Sequence, residues 1–212
     1  FFKQKTAYEI GTGDWSSDVC SSDLGVEADD LLASTVCKLK GLDRSSTIVS
    51  ADKDFAQLVG PGVRQLLPPS GREKNWTPLD SIGVKGKYGV SPAQIPAYLA
   101  IVGDTADNIP GLHGVGPKTA AKWLKDFGDL DTIIRRYDWL KPDKFRAVVK
   151  EGEGLLRRNL ELVTLKTDFE VEVPEHRVPD FDGLMKFLEE MEMKKSVVNL
   201  RKFARDSYGV SL

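Results

Sequence analysis

Between Gly111 and Pro117 the chain reads Gly-Leu-His-Gly-Val-Gly-Pro, and no other segment constrains the fold as tightly. Glycine permits backbone conformations and close approaches that side chains forbid, and Pro117 has the fixed φ and missing N–H suited to a first helical residue. Apolar residues recur at helical spacing on both sides: Ile95, Leu99 and Val102 before, and Ala120, Ala121, Trp123, Leu124 and Phe127 after. A helix launched by the Ser91-Pro92 cap, weakened in its first turn by Pro96, breaks at Gly103 to Asn108. A second runs from Pro117 to Gly128, so the two form a hairpin about the glycine turn.

Such a turn presents free amides to a phosphate. A nucleotide-binding P-loop needs Lys directly after the last glycine and a strand before the loop; here Pro117 intervenes and a helix precedes. A hairpin gripping the backbone of duplex DNA fits better, with Gly111, Gly114, Gly116, Lys118, Thr119 and Lys122 at the contact. The alternative is a plain helix turn. Pro117 to Lys166 carries 12 Lys+Arg against 8 Asp+Glu, including the Arg135-Arg136 and Arg157-Arg158 pairs, a local basic surplus that favours the DNA reading. Trp76, Trp123 and Trp139 are expected in core or cap positions rather than as base-stacking platforms.

Upstream, Val26 to Leu39 is expected as an amphipathic helix that opens on acids and closes on Lys38, Lys40 and Gly41. Thr47 to Ala51 is a β-branched run, followed by a helical stretch through Leu58. Val63 to Leu67 and Glu73 to Thr77 flank Pro68-Pro69-Ser70-Gly71 as an edge strand pair. Helix, strand, helix in this order points to an α/β fold with a parallel sheet. Asp131 to Tyr137, Pro142 to Lys150, Leu155 to Leu165, Asp182 to Met191 and Lys194 to Tyr208 are expected helices, with Phe169 to Val173 a short strand and Pro174 to Pro179 a linker.

Residues 1–24 follow no such logic: they have no apolar period, do not begin with Met, and resemble the translation of a sequencing-library adapter. From Gly25 onward basic and acidic residues balance at 28 each, so partners must be judged from local charge. Cys20 and Cys37 make no disulfide framework, and His113 and His176 are too distant to anchor a zinc site, so metal chemistry here must run on carboxylates. No apolar run reaches a membrane span of about 20 residues, and the expected location is the cytoplasm.

Those carboxylates fall in three clusters: Glu27, Asp29 and Asp30 at a helix start, Asp52 and Asp54 at a strand end, and Asp104 and Asp107 in Gly-Asp-Thr-Ala-Asp-Asn. Any single cluster is accounted for by capping and dipole complementarity. Together they match what hard divalent cations require, and pooled acids repel unless a cation neutralises them. The residues thus point to a metal-dependent phosphoryl-transfer site.

Gly-Val-Glu-Ala-Asp-Asp at 25–30, Ser-Ala-Asp-Lys-Asp-Phe-Ala-Gln-Leu-Val at 50–59 and the run from Ile101 to Leu124 together resemble the 5′-3′ exonuclease and flap endonuclease family, most strongly its bacterial members. Those members occur as the N-terminal domain of DNA polymerase I or as stand-alone nucleases. The resemblance implies a partial PIN-like α/β nuclease core over 25–103, a helix-hairpin-helix DNA-binding subdomain over 104–173 and a C-terminal helical appendage over 174–212. It also implies hydrolysis of DNA at a 5′ flap or single-strand/duplex junction, two Mg²⁺ or Mn²⁺ ions, K⁺ at the hairpin, and a role on bacterial nucleoid DNA, with a fused polymerase as one implied partner. The seven acids become direct or water-mediated ligands.

The family pattern also has an N-terminal half, with a strand ending in Asp, a second Asp and a basic helical arch, and nothing before Gly25 matches it. The expectation is therefore an N-terminally truncated, poorly active piece with an exposed sheet edge. The main alternative is a non-catalytic duplex-DNA-binding module; a metal-dependent phosphatase or nucleotidase would leave the hairpin idle.

Overall fold

The computed structural model describes residues 26–71, 74–173 and 179–211. The segment 1–24, Gly25, Glu73, His176 and nearly all of the expected linker lie outside these. The chain divides into two compact units, 1–173 and 174–212.

In the first unit, helix α1 (Ala28–Gly41) follows extended Glu27, carries Asp29 and Asp30 in its first turn and Lys38 and Lys40 in its last, and so complements its dipole at both ends. Strand β1 (Ser46–Val49) leads through the 3₁₀ turn Asp54–Leu58 to β2 (Val63–Leu67), which pairs parallel to it with Ile48 opposite Gln65. β3 (Thr77–Leu79) closes the other side antiparallel, giving the order β1-β2-β3. The expected second strand of this pair thus begins at Thr77. β1 forms an edge among the described residues, and its Val49 is exposed.

Helix α2 (Ser81–Tyr88) is capped by Asp80, whose carboxylate accepts from the Gly83 amide at 2.7 Å. The 3₁₀ turn Pro92–Gln94 carries a Ser91–Gln94 capping box and feeds α3 (Ile95–Val102), whose Pro96 sits in the first turn, where its missing N–H costs nothing. A short antiparallel pair, β4 (Gly103–Asp104) and β5 (Ile109–Pro110), separates α3 from the glycine turn. Then come α4 (Pro117–Phe127), α5 (Leu130–Arg135), the 3₁₀ turn Tyr137–Trp139, α6 (Phe145–Glu151) and α7 (Glu153–Val163).

One apolar core runs from Ala56 to Val163 across residue 103, with Ile101, Trp123, Leu124, Ile133 and Leu156 fully buried. A smaller one joins α1 to the sheet through Val36, Ile48, Phe55 and Val63. At roughly 1.5–3 kcal/mol per fully buried large apolar side chain, these clusters supply the main drive to fold.

Two expectations are corrected. Phe169 to Val173 forms no strand: its backbone runs along α1, where Asp30 accepts from Lys166 N at 2.8 Å, Ser34 accepts from Phe169 N at 3.2 Å, and Lys38 donates to the Val171 carbonyl. Side chains at i, i+4 and i+8 of one helix thus satisfy groups that a sheet would otherwise pair. Of the three tryptophans expected in core or cap positions, Trp123 is core, whereas Trp76 and Trp139 are exposed.

The second unit pairs α8 (Phe181–Glu190), capped by Asp180, with α9 (Lys194–Tyr208) around Phe181, Met185, Leu188, Leu200 and Ala204. No described helix is long and apolar enough to cross a membrane.

Candidate metal centre

The segment after β1 bends sharply, and its hydrogen bonds explain how it aims two acids. Asp52 N donates to Ser50 Oγ at 3.0 Å and Asp54 N to Asp52 Oδ1 at 2.9 Å, Asx- and Ser-type turns that fix the loop locally. From below, fully buried Gln65 on β2 donates through Nε2 to the Ser50 and Asp52 carbonyls. The loop is therefore anchored to the central strand of the sheet.

Asp104 and Asp107 arrive on the β4–β5 pair, which exists only because two glycines let its backbone close up. Gly103 has φ +81°, and a Cβ there would lie 2.3 Å from Gly111 N; a Cβ on Gly111 would lie 2.1 Å from the Val102 carbonyl oxygen. Buried Asn159 on α7 locks the arrangement, donating to the Ala100 and Pro110 carbonyls at 3.0 and 2.7 Å. The first glycine of the hairpin turn thus also positions the acids.

The two loops bring Asp54, Asp104 and Asp107 together, each offering a carboxylate oxygen within 4.8 Å of the others. Lys53 Nζ stands 2.6 Å from Asp104 Oδ1, which also accepts from Ala106 N at 2.9 Å. Burial opposes ionisation of Asp104, but these two partners outweigh it and hold its carboxyl below the ordinary value. Asp54 behaves in the opposite way: burial first, then Asp52, Asp104 and Asp107, push it up to about 7 against a smaller lowering by Lys53. Asp107 is raised by burial and by Asp104. One Asp54 oxygen is buried with no hydrogen-bond partner among the described residues. A buried orphan acceptor beside two further carboxylates is the donor set a hard cation takes.

The other expected acids divide. Asp29 is raised by burial, then by Asp52, Glu27 and Asp107, so the start of α1 lies within electrostatic reach of the cluster. Asp52 spends one oxygen on the loop, and Asp30 holds Lys166 N. Glu27 is exposed at the α1 cap position without a capping bond. In the hairpin, Gly114 needs its φ of +73°, whereas Gly116 faces open space, so its missing side chain leaves the α4 N-terminus approachable. Lys118, Lys122 and Lys125 form an exposed stripe on α4, with Thr119 half-buried beside it.

Besides Asn159, three contributors were not expected. Lys53 could have been found, because a lysine between two carboxylates is their nearest counter-charge. Gln65 and Tyr88 gave no signal. Tyr88 packs edge-on against Tyr98 with centroids 5.9 Å apart, and burial, then Tyr98, Asp52 and Asp54, push its hydroxyl up to about 12.

Residues 90–181 match the family model described as 5′-3′ exonuclease, C-terminal SAM fold. The chain is 35% identical over 192 residues to a 5′-3′ exonuclease of Aquifex aeolicus, covering 89% of this chain and 63% of that protein. It is 36% identical to the flap endonuclease Xni of Photorhabdus laumondii, with 68% and 55% covered, and 38% identical to the thermostable DNA polymerase I of Thermus thermophilus, with 79% and 20% covered. The chain thus spans less than two thirds of these relatives. Among solved structures, T5 5′-exonuclease with bound zinc superposes with a TM-score of 0.60 at 29% identity, covering 68% of this chain and 52% of that one.

Proposed function

Because the chain belongs to the 5′-3′ exonuclease family, we propose that it supplies the carboxylate cluster and the duplex-gripping hairpin of a structure-selective 5′ nuclease acting on bacterial DNA, in the cytoplasm at the nucleoid. The observation that carries this reading is the convergence of Asp54, Asp104 and Asp107 around a buried, unpartnered Asp54 oxygen.

In this reading Asp54, Asp104 and Asp107 hold one divalent ion, Mg²⁺ or Mn²⁺, and Glu27, Asp29, Asp30 and Asp52 serve a second directly or through water. When bound, the ions supply positive charge to the phosphate oxygens and acidity to the attacking water. The protein's own groups do the rest. Gln65 and the Ser50–Asp54 turns keep the acids aimed. Lys53 neutralises Asp104. Gly111, Gly114, Gly116, Lys118, Thr119 and Lys122 hold the duplex by its phosphates, with K⁺ at the glycine turn, and so place a 5′ flap or single-strand/duplex junction near the acids.

A labelled 5′-flap duplex incubated with Mg²⁺ or Mn²⁺ tests the reading. Weak metal-dependent cleavage near the junction, abolished by Asp54→Asn, is the expected result. Flap binding that persists in EDTA, with no cleavage at any metal concentration, would favour a non-catalytic duplex-binding module.

A further inference from the structure

Trp139 is 68% exposed on the 3₁₀ turn Tyr137–Trp139, although tryptophan is among the side chains with most to gain from burial. The turn itself is firmly held. Trp123 Nε1 of α4 donates to the Lys141 carbonyl at 2.9 Å, and the Trp123 ring meets Phe145 edge-on at 5.7 Å. The exposure of Trp139 is therefore built on a rigid base rather than on a loose end.

Its surroundings are basic. Residues 135–151 carry six Lys+Arg against three Asp+Glu. Arg136 Cζ lies 5.9 Å from the Trp139 ring centroid, Lys150 Nζ 5.5 Å from that of Tyr137, and Lys144 Nζ 4.8 Å from that of Phe145. None of these three cations has an ion-pair partner among the described residues, whereas neighbouring Lys141 and Arg146 share Asp143. An apolar protein partner would select a contiguous apolar patch; here a single large π-face stands among unneutralised cations. That combination matches a strand that alternates flat bases with phosphates.

We propose that this face is a second nucleic-acid contact, in which Trp139 stacks on a base not held in a duplex while Arg136, Lys144 and Lys150 bind the flanking phosphates. The inference rests on the reading of the chain as a DNA-binding protein and extends it to unpaired bases, for which the glycine hairpin has no platform.

The test is equilibrium binding of the full chain, in EDTA to prevent cleavage, to a labelled duplex with a single-stranded overhang and to its blunt counterpart. Trp139→Ala is expected to weaken overhang binding on the order of tenfold with little change for the blunt duplex, and Trp139→Phe to recover part of the loss. The overhang is also expected to quench tryptophan emission in wild type and in Trp76→Phe, but much less in Trp139→Phe. Equal binding of both DNAs by wild type and Trp139→Ala would overturn the platform and leave the hairpin reading standing. Failure of the wild type to bind even blunt duplex would overturn both. Displacement of the overhang by polyglutamate as readily as by single-stranded DNA would assign the face to an acidic protein and overturn the proposal.

Discussion

Lys53 Nζ lies 2.6 Å from Asp104 Oδ1, so an ammonium already occupies the neighbourhood of the carboxylates that a divalent ion would join. Asp104 is 2% exposed and stays ionised because of this contact and the Ala106 amide. Removing the cation strands a buried charge. Lys53→Met is expected to destabilise the metal-free chain by about 1–3 kcal/mol, and millimolar Mg²⁺ to restore most of it. Denaturant midpoints with EDTA and with Mg²⁺ check both halves.

Stability should depend on pH in a defined direction. The Asp54 carboxyl is raised to about 7 in the folded chain and titrates near 4 when unfolded, so between those values the folded state holds the extra proton. Metal-free stability therefore falls as pH rises from about 4 to about 7 and levels off above. Asp54→Asn should flatten this slope, as should saturating Mn²⁺. Thermal midpoints across that range measure it.

Gln65 ties the Ser50 and Asp52 carbonyls to the sheet from a fully buried position. Gln65→Leu keeps the volume and removes both bonds, for an expected loss of about 1–3 kcal/mol. Because the loop carries Asp52 and Asp54, Mn²⁺ affinity should fall too, even under conditions where circular dichroism shows the variant fully folded. An unchanged affinity would remove Gln65 from the positioning role.

The exposed Lys118 and Lys122 on α4 should act through phosphates alone. Lys118→Glu with Lys122→Glu should weaken blunt-duplex binding irrespective of sequence. It should also reduce the slope of log K against log salt by about one for each phosphate that a lysine no longer neutralises. A salt titration of both proteins reads this directly.

How much of this was legible in the sequence follows from the kind of signal each residue leaves. The acids and the glycine turn could be read because their chemistry is demanding: pooled carboxylates need a cation, and Pro117 after three glycines needs a helix start. Gln65 could not, since it follows Arg64 and breaks the apolar alternation of Val63 to Leu67, so nothing local marks it as a buried donor. Helix α2 was hidden by Gly83 and Gly86, which lower helix propensity, although Asp80 is a cap that could have announced it. Phe169 to Val173 alternates like a strand, but its partners are the side chains of Ser34 and Lys38, with Asp30 holding Lys166 just before it, and that pairing depends on a fold no local window contains. Trp139 has a core-like identity, and only the packed structure shows it left outside.

The central claim is that Asp54, Asp104 and Asp107 form a divalent-metal site, and calorimetric titration of Mn²⁺ into the EDTA-stripped chain tests it most directly. Saturable binding that releases protons near neutral pH, and that Asp54→Asn weakens at least about tenfold without unfolding the chain, is the predicted result. No saturable binding, or binding that Asp54→Asn leaves unchanged, would contradict it.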